Sequence, residues 1–150
     1  MAAVEALSTA EAVLLVEEQM SVLAGQIRAS VRDAALAVDP ALQPFGLKLL
    51  RMIMRCGPTH ASTAAETLCV DRSVISRQAK QLEELGLLTI QADPADGRAR
   101  FLELTPVGTE RVSEAVSSNH VLLHDRLISW SPDELLVFAD FIARLNGTRE

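Results

Sequence analysis

The chain has 150 residues, 16.2 kDa, with 49% hydrophobic and 3% aromatic residues and a formal net charge of -6. That length suits one domain that gains from a partner, no eighteen-residue apolar run is present to span a membrane, and the absence of Tyr argues against a stacking platform for single-stranded nucleic acid. The opening Met1-Ala-Ala-Val-Glu5 lacks the basic region and apolar stretch of a secretion signal, so a cytoplasmic protein is expected.

The first predicted element is a long helix over residues 9–38. It holds no Pro and one Gly, and Val13, Val16, Met20, Leu23, Ile27 and Val31 recur at three- and four-residue intervals. A helix of that length spans about 45 Å, more than a small domain can cover, which points to a dimerisation surface. An apolar-rich helix follows over residues 45–56 and is broken by Gly57-Pro58. A short helix over residues 61–69 then leads into a tight turn at Val70, with Thr59 as its cap. Two short helices joined in this way make a helix-turn-helix unit.

The second of them, residues 71–86, has Asp71 placed to accept the orphan N–H groups of its first turn and Gly86 as its stop. Ile75, Ala79, Leu82 and Leu85 form its buried stripe, leaving Arg72, Ser73, Ser76, Arg77 and Lys80 on the remaining surface. Short hydroxyls beside cations suit a helix in the major groove, where Ser reads base edges and Arg or Lys reaches guanine or phosphate. The simpler reading of this face taken alone is ordinary solvated surface. Next come two aliphatic segments, residues 87–90 and 101–104, separated by Asp93-Pro94-Ala95-Asp96-Gly97-Arg98. The Asp-Gly pair marks a turn, so an antiparallel hairpin with a polar, cation-bearing tip is expected.

Thr105-Pro106 opens a further long helix with a cap and Pro at its first position, and Ser131-Pro-Asp-Glu134 repeats that logic as a capping box. The last helix carries Leu135, Phe138, Phe141, Ile142 and Leu145 as an apolar stripe. An intramolecular bundle is the alternative to a dimer for these helices, but no fourth long helix is present to close it.

The acidic balance does not oppose DNA binding once it is divided along the chain. Residues 45–104 carry eight Lys or Arg against seven acids, whereas residues 1–44 carry two against six and residues 105–150 four against seven. Cations are thus concentrated where a duplex would lie, with modest and salt-sensitive electrostatic attachment expected.

The block Gly57-Pro58, Ala65-Glu66, Leu68, Val70-Asp71-Arg72-Ser73, Ser76-Arg77, Leu82-Glu83-Glu84-Leu85-Gly86-Leu87, Asp93-Pro94-x-Asp96-x-Arg98-Ala99 and Leu104-Thr105-Pro106-x-Gly108 resembles the winged helix-turn-helix of the MarR family of transcriptional regulators. The resemblance implies a mainly α fold with a small β-wing: a winged helix-turn-helix at about residues 45–104, flanked by dimerisation helices at about 9–38 and 106–147. It implies a homodimer on an inverted-repeat operator in double-stranded DNA, acting as a repressor. The expected DNA contacts are Arg72, Ser73, Ser76, Arg77, Lys80, Arg98 and Arg100, with Arg98 alternatively bracing the wing against Asp93 or Asp96. Three positions depart from the family's usual pattern: His60 stands where Thr or Ser often caps a helix, Cys69 where Gly is usual, and Gly97 where a second wing Arg is frequent.

The resemblance also implies release by a small aromatic acid or phenolic effector held where the dimerisation helices meet the winged domain. Leu47, Met52 and Cys56 are candidate walls and Arg28 or Arg32 candidate anion contacts, each with an alternative reading as core or solvated edge. Cys56 and Cys69 are too few and too oddly spaced for a disulfide scaffold or metal site and are expected to be buried and inert, with a redox-responsive repressor as the rival switch. His120 and His124 have the spacing of paired metal ligands but lack a third, so no metal and no other cofactor is expected. No phosphate loop, HExxH or nucleophile elbow is present, so no enzyme is expected. Other readings are a transcriptional activator and a winged-helix protein-interaction module.

Overall fold

The computed structural model describes residues 7–119 and 121–148. The chain forms two compact units that divide between Ala115 and Val116.

In the first unit, α1 spans Thr9–Val38 and is opened by Ser8, whose hydroxyl accepts the Glu11 N–H while the Glu11 carboxylate accepts the Ser8 N–H at 2.8 Å. Only the last turns of this helix are buried, at Ala34, Ala35 and Val38. Pro44 at the first position of α2 (Pro44–Cys56) presets the helical φ, and Gly46, Leu47, Leu49, Leu50, Met52 and Ile53 turn inward from it. Gly57, at φ 79°, ends α2 in a conformation that a side chain would strain. β1 is the dipeptide Thr59–His60, followed by α3 (Ala61–Leu68) and α4 (Arg72–Glu84). β2 (Leu88–Ala92) and β3 (Arg100–Leu104) form the wing hairpin. The sheet order is β1-β3-β2, all antiparallel, with Ile90 opposite Leu102 and His60 opposite Phe101.

Leu47, Leu49, Leu50, Ile53, Ile75, Leu82, Leu87, Leu88, Leu102 and Val112 are fully buried and make the core beneath the helix-turn-helix. Each such side chain contributes about 1.5–3 kcal/mol by burial. The expected stripe of α4 holds at Ile75, Ala79 and Leu82, while Leu85 is half-buried. α5 (Pro106–Asn119) begins in this unit, where Val112 and Ala115 are buried and Arg111 lies 3.6 Å from Asp39 at the end of α1.

Two expected caps are replaced by other arrangements. Asp71 has the extended backbone of a helix cap, but its carboxylate makes no capping bond; its carbonyl accepts the Val74 and Ile75 N–H groups instead. Thr59 does not cap α3, because it is held in β1 and its hydroxyl donates to the Gly57 carbonyl at 2.8 Å. The cap position falls to His60, whose side chain makes no capping bond either.

In the second unit, α6 (Val121–Leu127) is followed by a turn and α7 (Pro132–Leu145). The long helix expected after Pro106 is described as α5 and α6 on either side of residue 120, which lies outside the described residues. Ser131 and Glu134 form the capping box expected at α7, with the Ser131 N–H donating to the Glu134 carboxylate at 2.8 Å. Trp130 meets the edge of Phe138 at 5.3 Å between centroids. Leu136, Val137, Phe141 and Leu145 are exposed. Among the described residues, no helix is long and apolar enough to cross a membrane.

Candidate nucleic-acid interface

α4 is amphipathic because its apolar residues recur at three- and four-residue intervals, which fixes one side against the core and directs the other outward. Arg72, Ser73, Ser76, Arg77 and Lys80 are all exposed on that outer side. The outer side is free for a ligand because α4 is anchored elsewhere. Glu83, at the far end, accepts the Ile90 N–H at 3.1 Å and ties the helix to β2, while Leu87 N–H returns to the Leu82 carbonyl. At the near end a groove of about 530 Å³ is lined by Ser62, Glu66, Cys69, Asp71 and Arg72, joining the end of α3 to the start of α4.

The wing tip is a hydrogen-bonded loop. Asp93 Oδ1 accepts the Ala95 N–H at 2.8 Å, Asp96 Oδ1 accepts the Arg98 N–H at 3.0 Å, and the Asp93 and Ala99 N–H groups close the loop on the Ala99 and Asp96 carbonyls. These bonds use the two acids on backbone donors, as Asx turns do. The Arg98 side chain is exposed and, among the described residues, pairs with no carboxylate. The guanidinium that braces the wing is that of Arg100, which donates to the Gly97 and Ala99 carbonyls at 2.9 and 3.2 Å. Thus Arg98 projects from the tip, and Arg100 folds back on it.

A second concavity, a cleft of about 630 Å³, lies between α1, α2 and α3. Its apolar wall includes Val31, Phe45, Leu47, Met52 and Leu68, and its cations are Lys48, Arg51 and Arg55. Leu47 and Met52 are brought together there as the sequence suggests. Cys56, Arg28 and Arg32 do not line the cleft, and all three are exposed. Reading by sequence missed Lys48, Arg51 and Arg55, although their three- and four-residue spacing puts them on one side of α2. Among the described residues no carboxylate pairs with these three, and the Arg51 Nε is buried without a hydrogen-bond partner.

Both cysteines are exposed, which corrects the expectation that they are buried. Each sits at a helix terminus, where neighbouring turns no longer cover the side chain: Cys56 closes α2, and Cys69 caps α3 in the left-handed region at φ 55°. His124 is exposed on α6, His120 lies outside the described residues, and among the described residues no cluster of His, Cys, Asp or Glu is arranged to hold a metal ion.

The profile of the MarR family matches residues 47–99, from α2 through the wing tip. The HTH-type transcriptional regulator YxaD of Bacillus subtilis is 31% identical over 98 residues, covering 65% of this chain and 68% of the relative. In fold, the chain is similar to the YusO protein of Bacillus subtilis, with a TM-score of 0.76 at 20% identity, covering 95% of this chain and 100% of that one. It is similar also to NadR in complex with 4-hydroxyphenylacetate, with a TM-score of 0.61 at 19% identity and 97% of each chain covered.

Proposed function

Since the chain belongs to the MarR family of transcriptional regulators and carries that family's DNA-binding winged helix, we propose that it is a homodimeric repressor that reads an inverted-repeat operator and is released by a small aromatic acid. The observation that carries the reading is the outer side of α4, five exposed cationic and hydroxyl side chains on a helix anchored at its other side and far end. Ser73, Ser76 and Arg77 are assigned to base edges in the major groove, Arg72 and Lys80 to phosphates, and Arg98 to the wing's minor-groove or backbone contact. The test is a duplex titration at fixed salt. Arg77→Ala costs about 1–3 kcal/mol and relaxes preference at one operator position if Arg77 reads a base; unchanged affinity and preference remove it from that role.

Dimerisation is supported by exposed apolar side chains on the terminal helices. Val13, Leu14, Val16 and Met20 of α1 and Leu136, Phe141 and Leu145 of α7 are exposed, and apolar surface of this kind marks an interface. Repression needs only occlusion of a promoter, whereas an activator would contact polymerase; transcription of the target rising on deletion supports repression, and transcription falling on deletion overturns it.

The effector reading rests on the cleft between α1, α2 and α3, whose volume falls in the range of small-molecule sites. A carboxylate placed against Lys48, Arg51 and Arg55 would receive charge-assisted hydrogen bonds, and the ring would meet Leu47, Met52 and Phe45. NadR's 4-hydroxyphenylacetate has this chemistry, an aromatic ring with one carboxylate. Release then follows if the acid binds better to a form in which the recognition helices no longer match the grooves. The exposure of Cys56 and Cys69 supports a second reading, release by oxidation. Screening operator release against small phenolic acids and peroxide separates them: double Cys→Ser substitution abolishes a peroxide response and leaves acid release intact, and failure of both agents overturns both switches.

A further inference from the structure

We infer that His60 is a positioning residue for the wing, a latch that fastens the tip end of the wing hairpin to the strand leading into the helix-turn-helix. The inference rests on the duplex-reading assignment above. His60 occupies the cap position of α3, where a Ser, Thr, Asp or Asn side chain would satisfy an orphan N–H of the first turn, and it makes no such bond. Its side chain is committed elsewhere. The imidazole stacks on Phe101 with ring centroids 3.9 Å apart and an interplanar angle of 31°. Its Nε2 lies 3.5 Å from Asp93 Oδ2, within ion-pair range.

The partners explain what the contact does. Phe101 is directly opposite His60 on β3, so the stack adds to the short β1·β3 pairing. Asp93 is where the hairpin leaves β2: its Oδ1 organises the tip through the Ala95 N–H, and its backbone N–H closes the loop on Ala99. One carboxylate therefore serves the loop with one oxygen and faces His60 with the other. The pair is protected from solvent unequally, the Asp93 side chain being 15% exposed and that of His60 34%. An aromatic contact, the approach of the imidazole Nε2 to the Asp93 carboxylate and two strand residues then set the direction in which the wing, and with it Arg98, leaves the domain. A hydroxyl residue at position 60 would cap α3 but could not reach this role.

His60→Thr supplies a cap and removes the latch, whereas His60→Gln keeps a nitrogen donor of similar reach toward Asp93. Hydrogen exchange on the free full-length protein reads the latch without DNA. In His60→Thr the Ala95 and Ala99 amides are expected to exchange about fivefold faster while the Ile75 amide of α4 does not, and His60→Gln restores much of the protection. Operator affinity is expected to fall about fivefold in His60→Thr, with the slope of log K against log salt reduced by about one, the loss of one phosphate contact. Unchanged wing exchange in His60→Thr overturns the latch whatever the DNA result. Faster wing exchange with unchanged operator affinity overturns its role in DNA binding. Wild-type protein that binds no duplex while wing exchange responds overturns the duplex reading and keeps the latch as a feature of the fold.

Discussion

Gly108 lies against the carbonyl of Leu87 so closely that a Cβ at position 108 would overlap the Leu87 oxygen and stand 2.9 Å from its carbonyl carbon. Thr105 completes this junction: its hydroxyl donates to the Gly86 carbonyl at 2.7 Å and accepts the Gly108 N–H at 2.9 Å, while its own N–H donates to Leu87. The first turn of α5 is thereby seated on the turn between α4 and β2. A methyl group would meet rigid backbone rather than a side chain that can move. Gly108→Ala is expected to destabilise the protein by about 1–3 kcal/mol, measured as a lower urea midpoint at constant m-value; an unchanged midpoint would show that the close approach does not hold in solution.

Cys69 offers the opposite change. It is the sole non-glycine residue at positive φ among the described residues, in the left-handed conformation that a side chain enters at a cost. Cys69→Gly is expected to raise stability by about 1 kcal/mol, seen as a higher urea midpoint. Cys69→Val, which is β-branched, is expected to lower it. Equal midpoints for the two variants would contradict the assignment of strain to this turn.

The two wing arginines should separate in their effects. Arg98 projects and is not paired with an acid among the described residues, so Arg98→Ala should weaken duplex binding and reduce the salt slope by about one without loosening the loop. Arg100 holds the Gly97 and Ala99 carbonyls, so Arg100→Ala should loosen the tip as well. Amide exchange at Arg98 and Ala99 distinguishes them: it should quicken in the Arg100 variant only. The reverse pattern would exchange the roles of the two residues.

The capping box of α7 should titrate. Hydrogen bonds from the Ser131 backbone and then its hydroxyl hold the Glu134 carboxyl below the usual carboxylate range, and those of Ser8, hydroxyl first, do the same for Glu11. Because the folded-state value is depressed, the contribution is fully present above the ordinary carboxylate range and is lost as pH falls through the folded-state value. The first turn of α7 should fray on acidification, and Ser131→Ala should move the Glu134 titration upward. A carboxyl chemical-shift titration checks both, and identical Glu134 midpoints in the two proteins would rule out the box in solution.

Local rules made most of the fold legible. Gly57-Pro58, the stripe of Ile75, Ala79 and Leu82, the Asp-Gly turn and the Ser131 box each state an element or its end in a few residues, and the outer side of α4 follows from the same spacing. What the sequence hides is non-local. β1 is two residues long and exists because β3 has an edge to pair with, so nothing in Thr59-His60 announces a strand. That pairing took Thr59 from the cap and turned His60 toward the wing. The cleft proposed for an effector is half legible: Leu47 and Met52 are recognisable as apolar, but whether Arg28 and Arg32 or Lys48, Arg51 and Arg55 face it depends on how α1, α2 and α3 pack. Burial of the cysteines failed for a related reason, since a helix end has fewer neighbours than its middle.

Whether the chain reads duplex sequence as a two-fold dimer is tested most directly by selection of bound fragments from a random double-stranded DNA pool by the 150-residue protein. The expected result is enrichment of an inverted repeat whose half-sites lie about one helical turn apart, with Arg77→Ala relaxing one position in each half. A pool that stays random after repeated selection, or an enriched site without two-fold symmetry, would contradict it.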